Sequence, residues 1–359
     1  MEVVTVVGTR PEIIKMAPVI RAVSENEKLT TYLVHTDQHY DESLSQSFFS
    51  ALELPAPDEH LDVGSGTHHD QTAAGLRKVG TLVDQRTPAA VLAQGDTNAV
   101  LSTAIATSKT RASFGHVEAG LRSFDWRMPE EINRIVADAV ADFMFVPTQT
   151  ALANLREEGR ADRAYLMGNT IVDACLAHEP IAQQKSDILS ELGLEAISYA
   201  VATIHRPLNT DNKTRLQRIL TALDEASVPV VFPVHPRTHV AIDALNFTPD
   251  DALKLIRPLD YLDFLKLLSD SVTIVTDSGG IQEEASVLEI PCLTVRPNTE
   301  RPETVAAGVN RLVEPADLAS ELETVVTDSA ERAAMTGHTG LYGEGDSGRQ
   351  IASVLAKEL

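Results

Sequence analysis

Short, β-branched apolar runs alternate along the chain with longer stretches in which apolar residues recur at helical spacing. The first set is VVTVV at 3–7, TTYLVH at 30–35, AAVLAQ at 89–94 and FMFVP at 143–147. Runs that are apolar at nearly every position suit strands buried on both faces, and their alternation with helical stretches predicts a parallel sheet covered by helices. After the more polar, helix-like 149–195 the pattern restarts, with SYAVATIH at 198–205, VPVVFPVH at 228–235, SVTIVT at 271–276 and PCLTV at 291–295. Two α/β domains are therefore expected, 1–169 and 170–359, with the boundary region near 168–195. No Gly/Ser-rich or Pro-rich tether separates them, so they are expected to pack across a cleft. Gly345-Asp346-Ser347-Gly348 offers an N-cap to a terminal helix at about 346–359.

Composition narrows the setting. The 359 residues are about twice the usual single-domain length, 43% are apolar, and no apolar run reaches the ~18 residues of a membrane span. MEVVTVVGTRPE has no basic, apolar, small-residue leader pattern, and Cys175 and Cys292 cannot build a disulfide framework or a cysteine zinc site. A soluble cytoplasmic protein is expected. Thirty basic against 52 acidic side chains give a net charge of −22, which repels nucleic acid and anionic membranes. The acid is spread over the whole chain and lysines number nine against 21 arginines, a pattern expected of a halophilic surface. An ordinary acidic enzyme is the alternative.

Chemically distinctive residues fall just after strand-like runs: Arg10, Asp96, His116 with Glu118, His205 with Arg206, His235, Asp277-Ser-Gly-Gly and Arg296. Ligands of open parallel sheets bind outside the carboxyl ends of strands, so this placement predicts a site at those ends. Asp277-Ser278-Gly279-Gly280-Ile281-Gln282-Glu283-Glu284 reads as a strand end, a tight glycine turn and a helix start, compatible with a phosphate cradle or with an ordinary capped turn. Glu283 and Glu284 are read into the first helical turn, where acid also suits the macrodipole. Gly8-Thr9-Arg10-Pro11-Glu12 is neither a dinucleotide fingerprint nor a P-loop, which argues against NAD; Arg10, Lys15 and Arg301 are candidate cations. Glu118, Glu130 and Glu131 lie beside arginines as candidate acid/base groups, and Glu130 and Glu131, just after Pro129, also suit a helix N-terminus. Thr67-His68-His69-Asp70 and the pair His35 and His39 do not make up a ligand set; they are read as surface or loop histidines, and no metal is expected.

Together these residues give the chain its resemblance to the non-hydrolysing UDP-N-acetylglucosamine 2-epimerases, carried in order by GTRPEIIKMAPVI, QGDT, HVEAGLRS, PEEINR, GNTIVD, VHP, DYLDF, TDSGGIQEEA and TERPET. The resemblance implies the B-type glycosyltransferase fold: two Rossmann-like domains with parallel sheets, the active site in the interdomain cleft, and a last helix returning to the N-terminal domain. It implies UDP-GlcNAc and UDP-ManNAc as substrates, no cofactor, a homodimer, and a role in polysaccharide or cell-surface glycan biosynthesis. Asp96, Glu118, Glu130 and His205 match catalytic positions. Arg10 and Lys15, with Phe264, Ser278, Gly279, Gly280, Glu284 and Arg301, match positions that hold the substrate.

Two departures stand out. Relatives usually carry His-Arg-x-Glu-Asn where this chain has His205-Arg206-Pro207-Leu208-Asn209, and the bacterial Gln-His-Arg segment tied to allosteric activation is here Gln38-His39-Tyr40-Asp41. Chemically, C2 of an N-acetylhexosamine has no adjacent carbonyl to acidify its proton, and oxidation needs the absent NAD site, which leaves elimination of UDP to a 2-acetamidoglucal and re-addition. The base and acid are not assigned among the three carboxylates. The alternatives are a hydrolysing relative releasing free ManNAc, a 2-epimerase of a UDP-2,3-diacetamido uronic acid, a B-type glycosyltransferase needing an acceptor, and a sugar-nucleotide sensor.

Overall fold

The computed structural model describes residues 1–37, 49, 52–250, 252–338 and 340–359. Gln38, His39, Tyr40 and Asp41 lie outside the described residues. The chain forms two compact units, Met1–Ala174 with Tyr342–Leu359, and Cys175–Leu341. No helix among the described residues is long and apolar enough to cross a membrane.

In the first unit, β1 (Glu2–Val7), β2 (Thr30–His35), β3 (Glu59–His60), β4 (Ala90–Gln94), β5 (Ser113–Val117), β6 (Phe143–Val146) and β7 (Ala164–Leu166) form a sheet in the order β3-β2-β1-β4-β5-β6-β7. Every pairing in it is parallel. The central strands are buried on both faces, as their uninterrupted apolar runs require. Strand order reverses direction between β1 and β4, the switch point at which open α/β sheets bind ligands.

The helix Ser347–Glu358 also belongs to this unit and lies on the helix Arg10–Glu25. Their approach is close: a Cβ on Gly348 would sit 2.6 Å from the Pro18 carbonyl oxygen. Asp346 occupies the N-cap position but makes no side-chain cap; Asp173 Oδ1 accepts from the Gly348 N–H at 2.9 Å instead.

The second unit repeats the plan with β8 (Ala200–Thr203), β9 (Val230–Pro233), β10 (Leu253–Ile256), β11 (Thr273–Thr276), β12 (Cys292–Thr294) and β13 (Asn310–Leu312), in the parallel order β10-β9-β8-β11-β12-β13. Strand alternation divides its core in two. Ala200, Ala202, Val230, Phe232 and Val275 face one helical layer, while Val201, Val231 and Ile274 face the other. The reversal here falls between β8 and β11.

Candidate active site

The first unit builds its share at the β1/β4 switch point. Thr9 precedes the helix Arg10–Glu25, and Glu12 turns back to accept from the Gly8 N–H at 2.5 Å and the Thr9 N–H at 2.9 Å. Its other oxygen accepts from the Thr97 hydroxyl, so one carboxyl ties the turn after β1 to the loop carrying Asp96. Burial pushes Glu12 up to about 7 against the pull of these three hydrogen bonds, and the Asp96 charge adds to the rise. Arg10, two residues before it, is exposed.

One turn along that helix, buried Lys15 donates through Nζ to both Glu118 oxygens, at 2.9 and 3.0 Å, and Gln94 donates to the same carboxylate. Glu118 follows β5 with φ +73°, a left-handed backbone that a non-glycine residue adopts only where its surroundings impose it. The Phe145 carbonyl supplies that constraint by accepting from the N–H groups of both Glu118 and Ala119. Gly120 continues the bend at φ +84°, where a Cβ would lie 2.5 Å from the Ala151 oxygen. The kinked turn sends the Glu118 carboxylate back to Lys15.

Asp96 stays a third exposed while Arg134 donates to its carboxylate and Asn133 donates to its carbonyl at 2.9 Å. Both partners lie on the helix Pro129–Val140, whose first turn carries Glu130 and Glu131. The two glutamates part company there. Glu131 is buried and accepts from Ser123 N–H and Oγ, from Phe124 N–H (each 2.9 Å) and from Arg134 at 2.6 Å, which makes it structural; Glu130 is half-buried.

His116 departs from the expectation that it faces a ligand. It lies within β5, fully buried, with Nδ1 2.6 Å from Asp138 Oδ1 and Nε2 2.8 Å from the Gly95 carbonyl. Although burial opposes the charge, Asp138 holds the imidazole above its ordinary range. Asp138 also accepts from the Gly120 N–H at 3.1 Å and pairs with Arg122 at 2.7 Å, so this cluster braces the two loops that present Asp96 and Glu118.

In the second unit His205 follows β8 and Asp277 follows β11, side by side at the switch point. Asp277 is fully buried and accepts from the backbone N–H groups of His205 and Arg206, from Asn209 Nδ2 at 3.0 Å, and from His205 Nδ1 at 3.0 Å. Burial opposes its ionisation, yet these donors, His205 foremost, hold the carboxyl below the usual range. Nδ1 is thereby committed to Asp277, which fixes the orientation of the ring. Asp277 stands among the residues that follow strand-like runs, and its pairing with the strand-end His205, 72 positions away, is set by the fold. Leu208 is 47% exposed and supplies no carboxylate beside His205.

Ser278 is the N-cap of the helix Gly279–Val287, with no side-chain cap bond. Neither Gly279 nor Gly280 has a positive φ, and a Cβ on either would meet nothing closer than 4.0 Å. The turn therefore does not need glycine for its own shape or packing, and what the missing side chains leave open is the approach to the helix N–H groups. Glu283 and Glu284 sit one turn further in than expected, because the helix starts at Gly279. Both are buried, and Glu283 accepts from Arg301 Nε.

Arg296 is likewise not a ligand-facing cation: it is buried in a two-pronged pair with Glu300, at 2.8 and 2.9 Å. Burial opposes the Glu300 charge, but Arg296, Arg206 and Arg301 hold its carboxyl far below the ordinary range. Phe264 lies half-buried on the helix Tyr261–Ser269. Near the carboxyl ends of β9 and β10 a cavity of about 520 Å³ opens, lined by Val234, Pro236, His239, Leu255, Ile256, Arg257 and Pro258, within the size range of small-molecule sites.

The sequence profile of the UDP-N-acetylglucosamine 2-epimerase family matches residues 21–356. The UDP-N-acetylglucosamine 2-epimerase of Methanococcus maripaludis is 40% identical, covering 98% of each chain. The UDP-2,3-diacetamido-2,3-dideoxy-D-glucuronate 2-epimerase of Pseudomonas aeruginosa is 39% identical over 99% of this chain and 100% of its own. The solved structure of the Methanocaldococcus jannaschii UDP-GlcNAc 2-epimerase, in complex with UDP-GlcNAc and UDP, superposes with a TM-score of 0.91 at 39% identity, covering 99% of this chain and 100% of that one. Two parallel sheets, carboxylates and cations at their switch points, and full-length similarity lead to one assignment: the chain belongs to the UDP-N-acetylglucosamine 2-epimerase family of isomerases.

Proposed function

We propose that this protein interconverts UDP-GlcNAc and UDP-ManNAc without releasing free sugar. The C1–O bond breaks with its electron pair leaving on UDP, a carboxylate removes the C2 proton, and the C1=C2 double bond of 2-acetamidoglucal forms. Protonation of C2 from the opposite face and return of the UDP oxygen to C1 complete the epimerisation. The observation that carries this reading is the convergence of Asp96 and Glu118 at one switch point, with Lys15 on Glu118 and Arg134 on Asp96. Glu130 is the third carboxylate, at the head of the helix that holds Asp96.

In the second unit, His205 oriented by Asp277, with Ser278, Gly279, Gly280, Glu284, Phe264 and Arg301, supplies the nucleotide and diphosphate contacts. Helix N–H groups and the imidazole stabilise the departing phosphate. Domains 1–169 and 170–359 divide these tasks. The wider reading includes a homodimer, a cytoplasmic setting, a part in polysaccharide biosynthesis, and no nucleic-acid or membrane partner; the −22 charge supports the last two.

In deuterium oxide, with UDP-GlcNAc and no acceptor, NAD or metal, the UDP-ManNAc formed should carry deuterium at C2. Accumulation of free ManNAc points to a hydrolysing enzyme, and epimer with full protium retention overturns the elimination. The Pseudomonas aeruginosa relative supports a second reading, a 2,3-diacetamido uronic acid substrate. Running the same exchange with that nucleotide decides between them by relative kcat/KM.

A further inference from the structure

We propose that His35, Asp37 and His60 form a binding site for a divalent first-row transition-metal ion, of which zinc is the type, at the β2/β3 edge of the first sheet. His35 ends β2 and His60 ends β3, and the two are direct partners in the parallel register. Their rings stand 5.8 Å apart on the same face. Asp37, two residues past His35, adopts φ +52°, and that left-handed turn brings its carboxylate back between the rings. Oδ1 lies 2.5 Å from His35 Nδ1 and 2.9 Å from His60 Nδ1. The three ligand atoms fall within 4.8 Å of one another, and a tetrahedral ion with bonds near 2.0–2.1 Å sets its ligand atoms about 3.3 Å apart, so small side-chain rotations suffice.

Chemistry selects the ion. Two imidazoles and one carboxylate suit zinc, cobalt or nickel, whereas magnesium and calcium demand six or more oxygens. His35 is buried at 4% exposure, not the surface or loop histidine expected, and the edge-on ring of Phe49 at 5.9 Å fixes its orientation. The His60 side chain is 48% exposed, which gives an ion access and leaves room for water to complete the shell. The Asp62 N–H donates to Asp37 Oδ2 at 3.2 Å and holds the carboxylate from behind. Because β3 has only two residues and two pairings, an ion here would clasp the edge strand to β2. The site follows β2 and β3, whereas the carboxylates of the proposed reaction follow β4 and β5, so its role is to stabilise and its test does not need turnover.

The full chain, treated with chelator and titrated with zinc chloride alone, should take up one equivalent by calorimetry and melt at a higher temperature. Cobalt should give the intense visible bands of a tetrahedral site. Asp37→Asn keeps a residue that tolerates the left-handed backbone, and His60→Gln alters an exposed side chain, so both should fold. Each should weaken zinc binding at least tenfold, abolish the cobalt bands and remove the thermal shift. Unsaturable zinc uptake, zinc affinity unchanged in both variants, or a preference for magnesium over zinc would each overturn the proposal.

Discussion

Asp96 and Glu118 differ in exposure, 33% against 6% for the side chains, and the difference governs how each tolerates losing its charge. Asp96→Asn should cut turnover by about 10²-fold or more while UDP affinity stays within a few-fold, the signature of a lost proton-transfer group. Glu118→Gln should do the same and also lower the melting temperature, since Lys15 loses its counter-charge in a buried site, a change that typically costs about 3–5 kcal/mol. Steady-state kinetics, UDP titration and thermal melts of the pair separate the two effects. Asp277→Asn should lower kcat by about 10-fold or more and alter the pH profile, because the amide cannot fix the imidazole as the carboxylate does; an unchanged profile would make Asp277 a purely structural brace. Glu12 titrates at about 7 against an ordinary 4.5, so the folded state keeps its proton between those values. Its contribution is complete below about 4.5 and is lost as pH rises through about 7, by up to about 3 kcal/mol. Urea midpoints should therefore show the wild type losing stability relative to Glu12→Gln between about pH 5 and about pH 8, and no further trend above that.

Among the elements, the helix Gly279–Val287 allows a test that separates folding from binding. A Cβ at Gly280 meets nothing closer than 4.0 Å, and alanine is the better helix former by up to about 1 kcal/mol. Gly280→Ala should thus leave the melting temperature unchanged or slightly raised while weakening UDP at least tenfold; equal UDP affinity would reduce the motif to a capped turn. The strand ends were legible because chemistry-bearing residues interrupt apolar runs at a strand's carboxyl end, as at Asp96 and His205. β3, β7 and β13, two or three residues each, carry no comparable run, because short edge strands are held by pairing and not by their own hydrophobic pattern. His116 differs from expectation for a related reason: SFGHV is a strand whose fourth residue is polar, and Asp138, 22 positions along, together with the Gly95 carbonyl satisfies both ring nitrogens in the buried site.

For the whole molecule, the −22 charge makes the folded state repel itself where the Debye length is long, about 30 Å at 0.01 M salt and about 3 Å at 1 M. The melting temperature should rise toward molar potassium chloride, and a flat response from about 0.1 to about 3 M would remove the halophilic reading. At this scale, the alternation of apolar runs was enough to determine two parallel α/β sheets, since a strand buried on both faces has to be apolar at nearly every position and leaves that mark in the chain. Motif order was enough to determine the family. Pairing was decided by the tertiary structure alone. Glu131 became structural while Glu130 did not; Arg296 turned inward to Glu300 while His205 found Asp277, 72 positions away; and His35 met His60 across a strand pair. Charge pairs and hydrogen bonds depend on distances of about 3 Å between groups remote in sequence, and no local pattern encodes them until the sheets bring their strand ends together.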